Sequence, residues 1–266
     1  MYYIMSEIDD SGLDFQSREA NMSLKQRTRR FLEYAENNYL PNVEVRTVIF
    51  SFRGNSLNVF LLNHDNTDLY ALPGGPIKND EDVDMAAARN LSEITSMKDI
   101  FLEQFHTFGK CSEGKNVSVI HMLENNYGGP LPENNYYSKR KVIVCYYSLV
   151  DETKVNARNN LLMVSGYRWA NINTLPKLIG NENGFIDKAL QSLRDDMDKQ
   201  TIARHLMNPT FTMNELQRLY ELVYQHEFTR SNFQRHMLNL DILERLEKQY
   251  DGGAHKAPFL YKFKDT

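Results

Sequence analysis

The stretch GGPIKNDEDVDMAAARNLSEITSM, residues 74–97, is the part of this chain from which the fold is read most directly. Its second half lacks glycine and proline. There, Val83, Ala87, Leu91 and Ile94 recur at a spacing that places them on one side of a helix. The stretch therefore predicts an amphipathic helix over about residues 80–95 with one buried face.

Strand segments precede and follow this helix. Each is rich in β-branched and aromatic residues, and Gly54-Asn55 between the first two is a hairpin turn signal. The predicted strands are VEVRTVIFSF (43–52), LNVFLLNH (57–64), FLEQFHTFGK (101–110), KVIVCYYSLV (141–150) and GYRWANI (166–172). With further helices predicted at 17–39 and 185–197, this order indicates an α+β or α/β sandwich without internal repeats.

Residues 112–138 interrupt the pattern. They hold Gly128-Gly129-Pro130 and many Asn and Tyr residues, a composition typical of a surface insertion. We expect a long solvated surface insertion here, and the alternative interpretation is a binding loop. Residues 1–15, ahead of the first helix, are expected to be a loose leader.

The C-terminal quarter predicts a separate module. Residues 212–215, TMNE, are a capping box at a helix start. A one-sided apolar stripe follows at Leu216, Leu219, Tyr220 and Val223. Thr229 is expected to cap a second helix whose Phe233 and Met237 face inward, and ILERLEK and APFLYKFK, joined by a glycine turn at 251–253, predict a β-hairpin. Helix, turn, helix and hairpin in this order predict a winged helix-turn-helix.

Composition narrows the class of protein. The chain of 266 residues is 41% hydrophobic, which predicts a folded protein of two domains, and its net charge of −4 gives no overall basic field for nucleic acid. Residues 204–266 nevertheless hold nine Lys and Arg against eight Asp and Glu, a local excess of positive charge. Two cysteines predict neither a disulfide framework nor a metal site. No apolar run is long enough to span a bilayer, so a cytoplasmic protein is expected.

Residues 74–97 resemble the Nudix box, whose pattern is Gly, five residues, Glu, seven residues, then Arg-Glu-aliphatic-x-Glu-Glu-x-Gly-aliphatic. The positions that match at the right spacing are Gly75, Glu81, Arg89, Leu91, Glu93 and Met97. Asn90, Ile94 and Ser96 stand where the pattern has Glu, Glu and Gly. ALPGG, which enters the box, and YRWANINTLP, which begins in the last predicted strand, strengthen the resemblance.

The C-terminal segments FTMNELQRLYELV, FTRSNFQRHML and GGAHKAPFLYKF resemble the winged helix of Nudix-related transcriptional regulators, which control NAD or sugar-utilisation genes, those for arabinose among them. RKVIVCYYSLV and FIDKALQSLR are similar to the regulatory domain of the same family, although LIGNENGFID departs from relatives that carry an Asp-His pair. The resemblance implies a Nudix-like α/β/α sandwich with a mixed sheet at 41–198, followed by a winged helix-turn-helix DNA-binding domain at 199–266. Residues 1–40 are expected to be an N-terminal helical extension.

The departures from the box bear on catalysis. A Nudix hydrolase holds Mg²⁺, a hard cation that prefers several oxygen ligands, with carboxylates on one helical face. This chain keeps only Glu93 of the three positions 90, 93 and 94, and Glu93 has a structural alternative in an i, i+4 ion pair with Arg89. We therefore expect a catalytically inactive domain without metal or cofactor. The alternative is a Nudix hydrolase that acts on ADP-ribose or a related nucleoside diphosphate sugar.

The resulting hypothesis is a transcriptional regulator in which an effector alters how a homodimer binds operator DNA. Arg46, Arg89 and Glu93 are expected to bind the effector, either a sugar or an ADP-ribose-like nucleotide. The missing metal carboxylates favour a sugar, and for Arg46 an outward-facing solvated side chain is the alternative. The residues expected to contact DNA are Arg230, Ser231, Gln234 and Arg235 on the second helix and His255, Lys256 and Lys262 in the hairpin. A protein-interaction module is the alternative for this surface.

Overall fold

The computed structural model describes residues 22–264, apart from 54–55, 65–67, 98–100, 110–116, 134, 151, 156–163, 198–202, 205–206 and 249–256. Its α-helices are α1 (Leu24–Asn38), α2 (Val83–Thr95), α3 (Val117–Tyr127), α4 (Glu182–Met197), α5 (Met213–Tyr224) and α6 (Arg230–Asn239). Short 3-10 turns lie at Tyr136–Ser138 and Glu152–Lys154. The strands are β1 (Tyr39–Arg53), β2 (Ser56–His64), β3 (Tyr70–Ala71), β4 (Gly74–Lys78), β5 (Glu103–Phe108), β6 (Val142–Val150), β7 (Val164–Asn171), β8 (Phe211–Thr212), β9 (Leu243–Lys248) and β10 (Phe259–Phe263).

The larger sheet is mixed. Its strand order is β3-β2-β1-β6-β5, with β4 also paired to β1 and β7 to β2. The predicted hairpin is present, since β1 and β2 are antiparallel with Arg53 opposite Ser56, whereas β1 and β6 run parallel. Ile49 of β1 packs in a cluster with Leu91 of α2, while its neighbour Phe50 packs in the cluster that contains α4. The sheet therefore lies between helices, and the α/β/α sandwich predicted from the sequence is confirmed.

The helix predicted over about residues 80–95 is α2, which begins at Val83 after the N-cap Asp82. Ala87, Leu91 and Ile94 are buried as predicted. The helix ends at Thr95, and its C-cap residue Ser96 has a left-handed φ of 59°. Glycine adopts this conformation without strain, which explains why the box pattern has a glycine at this position. Ser96 adopts it at a cost in backbone conformational energy.

The interpretation of residues 112–138 as a solvated insertion is wrong for the part of it that the structure describes as buried. Helix α3 occupies Val117–Tyr127, and its Met122 and Leu123 are buried in a cluster that includes Phe31 of α1. Helix α1 itself begins at Leu24 after a capping box formed by Ser23, and residues 17–21 of the predicted helix lie outside the described residues. Packing between these two helices overrides the loop-like composition of the insertion.

The winged helix-turn-helix predicted at the C-terminus is confirmed. Thr212 and Glu215 form the capping box of α5, and Thr229 is the N-cap of α6, although its side chain makes no capping hydrogen bond. A three-stranded sheet of order β8-β10-β9 completes the module, while the glycine turn predicted at 251–253 lies outside the described residues. Phe233 and Met237 of α6 are buried as predicted.

One apolar core joins the sandwich to the winged module. It runs from Phe50 and Tyr147 in the sheet, through Leu193 of α4, to Leu216 and Phe233 of the winged module. Among the described residues, no helix is both long enough and apolar enough to cross a membrane.

Candidate effector site and DNA-binding surface

The two carboxylates missing from the box leave side chains that face protein. Asn90 is buried, and its amide donates to the Ala86 carbonyl at 2.8 Å within α2. Its amide oxygen lies so close to Gly75 that a Cβ on that residue would collide with it. Ile94 is buried in an apolar cluster with Phe60 and Leu91. Position 90 thus packs against the strand that contains Gly75, and position 94 belongs to the core.

Glu81, Arg89 and Glu93 form a compact ion cluster, called here the Arg89 cluster. The Arg89 guanidinium donates to both oxygens of Glu81, at 2.5 and 2.8 Å, and to the Pro76 carbonyl at 3.0 Å. Its ion pair with Glu93, at 3.3 Å, is the i, i+4 pair expected from the sequence. Burial opposes ionisation of Glu81, but hydrogen bonds from Arg89 and from the Lys78 amide lower its pKa below the usual value.

The box residues do not fit the metal site of a Nudix hydrolase. Such a site needs oxygens free to coordinate Mg²⁺, whereas the carboxylates of Glu81 and Glu93 are engaged by Arg89. The amide of Asn90 is turned into backbone contacts, and Ile94 has no ligand atom. Across the described ranges, no group of three or more His, Cys, Asp and Glu side chains is arranged to hold a metal ion.

A second ion cluster, the Arg46 cluster, consists of Glu44, Arg46, Lys141 and Glu182. Arg46 pairs with Glu44 at 2.9 Å and with Glu182 at 3.2 Å, and Lys141 lies 3.5 Å from Glu44. The alternative of an outward-facing solvated arginine is therefore wrong. β1 is buried on both faces here, so a charged side chain in it needs partners of opposite sign. Only 22% of the Arg46 side chain remains exposed.

Titration of the Arg46 cluster follows from burial and from the sharing of one guanidinium by two carboxylates. Burial raises the pKa of Glu182 to about 7, against the attraction of Arg46. Burial also disfavours the Glu44 carboxylate, but Arg46 and Lys141 together lower its pKa below the usual value. Burial lowers the pKa of Lys141 to about 8. Near neutral pH, Glu182 is thus the carboxyl of this cluster that exchanges a proton most readily.

Aromatic residues from the extension and the insertion cover the Arg46 cluster. The Lys141 ammonium lies 2.9 Å from the centre of the Tyr136 ring. Tyr136 contacts Tyr137 and Tyr39, with ring centres 5.3 and 6.3 Å apart, and Phe31 of α1 lies 6.1 Å from Tyr39. Burial, and then the nearby Glu44 carboxylate, raise the pKa of Tyr136 well above its usual value. Helix α1 and the 3-10 turn thus form a cap beside the cluster.

Cys145 lies opposite Arg46 in the parallel pairing of β1 and β6. It is a free, buried cysteine, and burial raises the pKa of its thiol to about 12. A thiol that stays protonated is a poor nucleophile, so this residue fits the ordinary reduced cysteine expected from the sequence. Cys111 lies outside the described residues.

The structure divides the predicted effector residues between the two clusters. Arg46 lies in one, and Arg89 and Glu93 lie in the other. Sequence reasoning missed Glu44, Lys141 and Glu182. Glu44 had a signal, because it shares a strand face with Arg46 two residues away. Glu182 had none, since 136 residues separate it from Arg46.

The candidate DNA-binding surface is the outer face of α6. Arg230, Ser231 and Arg235 are exposed and Gln234 is half-buried. The turn before α6 is held by Glu221, which accepts hydrogen bonds from the Phe228 amide at 3.0 Å and from Gln217 at 2.8 Å. The structure thus groups the four helix residues predicted from the sequence on one accessible face.

The hairpin residues are less completely described. His255 and Lys256 lie outside the described residues. Lys262 of β10 forms an ion pair with Glu244 of β9 at 3.0 Å, so its charge is partly compensated. The hairpin strand β9 also carries Arg245, an exposed basic residue that was not assigned to DNA from the sequence. Its guanidinium lies 3.4 Å from the centre of the Phe259 ring.

Comparisons with known proteins cover both parts of the chain. A family model described as "NrtR DNA-binding winged helix domain" matches residues 203–263. The "ADPR responsive transcriptional repressor NtrR" of Acinetobacter baylyi is 23% identical over 242 residues, which are 87% of this chain and 86% of that protein. The crystal structure of Shewanella oneidensis NrtR complexed with a 27mer DNA superposes with a TM-score of 0.56 at 22% identity, covering 84% of this chain and 93% of that one. A MutT/nudix family protein from Enterococcus faecalis has a TM-score of 0.59 at 17% identity, covering 99% and 100% of the two chains.

Proposed function

Since this chain joins a Nudix-like domain to a C-terminal winged helix of the NrtR type, we propose that it is a DNA-binding transcriptional repressor that responds to ADP-ribose or a closely related nucleotide. The observation that carries the proposal is the winged helix at 203–263, with its α6 face accessible, packed on the same core as the Nudix-like sheet. The Acinetobacter relative, named as an ADPR-responsive repressor, supports the choice of effector. The comparisons give no support to a sugar effector or to arabinose-type target genes.

We assign the negatively charged diphosphate of the effector to the Arg46 cluster rather than to the Arg89 cluster. The Arg89 cluster holds two carboxylates and one guanidinium, so it repels an anion. The Arg46 cluster holds two carboxylates and two cations, and it gains a net positive charge whenever Glu182 is protonated or moves away. Two unit charges about 4 Å apart near a protein surface interact by about 4 kcal/mol. The sign of the net charge of each cluster therefore decides where we place the diphosphate.

On DNA, we place α6 in the major groove. Arg230 and Arg235 can donate to guanine or phosphate, and Ser231 and Gln234 to a base edge or a backbone oxygen. Lys262 of the hairpin is assigned to phosphate, a contact that is independent of sequence. A homodimer with two such helices would read two half-sites.

The division of the chain into an extension at 1–40, a sensor at 41–198 and a DNA-binding domain at 199–266 remains part of this proposal. The enzyme alternative keeps one observation in its favour, because Glu81, Arg89 and Glu93 of the box are held together. Against it stand the engaged carboxylates and the apolar Ile94.

The test is fluorescence anisotropy with labelled DNA from the promoter region of the protein's own gene. A salt-sensitive complex that ADP-ribose alters, and that Arg230→Ala weakens, supports the repressor. Arg194→Ala is not a useful control, because that side chain donates to carbonyls of α5 and its loss would disturb the winged module itself. Arg168→Ala, on an exposed part of β7, removes one positive charge elsewhere and should leave binding unchanged. Absence of any salt-sensitive complex, with and without ADP-ribose, rejects the proposal.

The enzyme alternative is tested on the same preparation. ADP-ribose is incubated with millimolar Mg²⁺, and the release of AMP is measured. The proposal predicts no turnover above that of a Glu93→Gln variant, because the residues of the box do not fit a metal site. Robust turnover that Glu93→Gln abolishes favours the hydrolase.

A further inference from the structure

Helix α4 has buried polar contacts at both of its ends. It is 16 residues long, which at 1.5 Å per residue is about 24 Å. Its first residue, Glu182, belongs to the Arg46 cluster, and its last residue, Met197, lies against the winged module. A single rigid element therefore connects the assigned effector site with the DNA-binding unit.

At the N-terminal end, Glu182 holds two partners with its two oxygens. One accepts the Leu72 amide at 2.6 Å, and the other accepts the Arg46 Nε–H at 3.2 Å. Leu72 lies between β3 and β4, and Gly74 of β4 pairs with Arg46. Glu182 is buried, so these contacts fix where α4 begins relative to the sheet.

At the C-terminal end, α4 and α5 cap each other. Tyr220 and Tyr224 of α5 donate through their hydroxyls to the carbonyls of Met197 at 3.0 Å and Arg194 at 3.1 Å. In return, Arg194 donates to the Val223 carbonyl at 3.0 Å. Each of these carbonyls lies in the last turn of its helix, the part whose carbonyls generally need partners from outside the helix.

The contact continues to the DNA-binding helix. The ring of Tyr220 packs edge-on against Phe233 of α6, with ring centres 5.2 Å apart. Between its ends, α4 is packed in the common core through Phe185, Ala189 and Leu193. A displacement of the start of α4 therefore reaches α6 through packed side chains rather than through a flexible linker.

At the N-terminal end of α4, an anionic effector competes with Glu182 for the Arg46 guanidinium. The Arg46 guanidinium is already shared by Glu44 and Glu182, so a diphosphate adds negative charge to an occupied cation. Glu44 is also held by Lys141, whereas Glu182 has Arg46 as its cationic partner among the described residues. Of the two carboxylates, Glu182 is the weaker competitor for Arg46.

We propose that Glu182 couples effector binding to DNA binding: an anionic group that takes the Arg46 guanidinium releases the Glu182 carboxylate, and α4 transmits the change to α5 and α6. This inference rests on the proposed function, since it takes the Arg46 cluster as the effector site. The anion and the internal carboxylate are alternative occupants of one cation, and each corresponds to one position of the helix.

The test compares three variants of the full chain. Glu182→Gln removes the charge that competes for Arg46, and Tyr220→Phe removes the bond from α5 to the end of α4. Asp187→Asn is the matched control, because it removes a negative charge from an exposed position of the same helix. Operator affinity is measured by anisotropy with and without ADP-ribose, ADP-ribose affinity by calorimetry, and folding by thermal melting.

Glu182→Gln is expected to shift operator affinity, without ADP-ribose, by about fivefold or more in the direction that ADP-ribose produces in the unsubstituted chain. It should bind ADP-ribose at least as tightly and respond to it by less than about twofold. Tyr220→Phe should keep its ADP-ribose affinity but lose most of the response, and Asp187→Asn should behave like the unsubstituted chain.

Unchanged operator affinity together with a full response in Glu182→Gln overturns the inference, as does a full response in Tyr220→Phe. If Glu182→Gln does not fold, Tyr220→Phe decides alone. If the unsubstituted chain binds DNA but ignores ADP-ribose, the proposed effector is wrong. In that case the operator affinity of Glu182→Gln without ligand still decides whether Glu182 controls the DNA-binding helix.

Discussion

Replacing Glu182 by glutamine is expected to change how the stability of this protein depends on pH. Burial raises the pKa of Glu182 from 4.5 in its unperturbed state to about 7 in the folded chain. The folded chain therefore binds this proton more tightly than the unfolded chain does. The resulting stabilisation is complete below about pH 4.5 and is lost as the pH rises through about 7, for a total of about 3 kcal/mol.

Two neighbouring groups titrate outside this range. The pKa of Glu44 is lowered, so its contribution to the free energy of unfolding is present above pH 4.5 and is lost only at more acidic pH. The pKa of Lys141 is lowered from 10.5 to about 8, so its contribution to the free energy of unfolding is lost as the pH falls from about 10.5 through about 8. The interval between about pH 5 and pH 7 thus reports chiefly on Glu182 within this cluster.

Urea unfolding followed by circular dichroism, at about pH 5 and about pH 7.5, measures the effect. The free energy of unfolding of the unsubstituted chain, relative to that of Glu182→Gln, should fall by about 2 kcal/mol between the two conditions, because pH 5 already lies above the unperturbed pKa of 4.5. The glutamine side chain of this variant has no proton to lose, although it also weakens the bond to Arg46, so the comparison uses the pH dependence and not the absolute stability. Asp187→Asn should keep the original dependence. Parallel pH profiles for Glu182→Gln and the unsubstituted chain would refute the reasoning.

Three further predictions concern helix ends and DNA. Ser96→Gly should stabilise the chain by about 0.5–1 kcal/mol in urea unfolding, because φ at residue 96 is left-handed. Ala88→Gly, inside α2, should destabilise the chain by about 1 kcal/mol, and equal changes in stability for the two substitutions would reject the argument. Thr212→Ala should cost about 1 kcal/mol, while Thr229→Ala, which removes no capping hydrogen bond, should cost only a few tenths; a larger loss at Thr229 contradicts the described caps. Arg230→Ala should weaken binding to the cognate operator by about 1–3 kcal/mol and relax preference at one base pair, and an equal loss on all sequences would make it a phosphate contact instead.

Local signals in the sequence predicted local structure well. The spacing of Ala87, Leu91 and Ile94 identified the box helix, and the Thr212 and Glu215 capping box marked the start of α5 to the residue. These features depend on residues three or four positions apart, which one helical turn brings together. The order of elements was then enough to predict the sandwich and the winged helix.

Features that depend on distant residues were not predictable. The loop-like composition of 112–138 concealed α3, because the burial of Met122 and Leu123 depends on Phe31 of α1. Arg46 was left open between an effector contact and a solvated residue, because its partner Glu182 lies far away in the sequence. Only the fold places α4 against that end of the sheet, so the Arg46 cluster has no counterpart in any short motif.

Thermodynamic linkage between ADP-ribose and operator DNA is the most direct test of the central claim. The affinity for labelled operator DNA is measured with and without saturating ADP-ribose, and the affinity for ADP-ribose with and without saturating operator DNA. The proposed repressor predicts that each ligand changes the affinity for the other by the same factor, about fivefold or more. Operator binding that stays the same at saturating ADP-ribose, in a protein that binds both ligands, would contradict it.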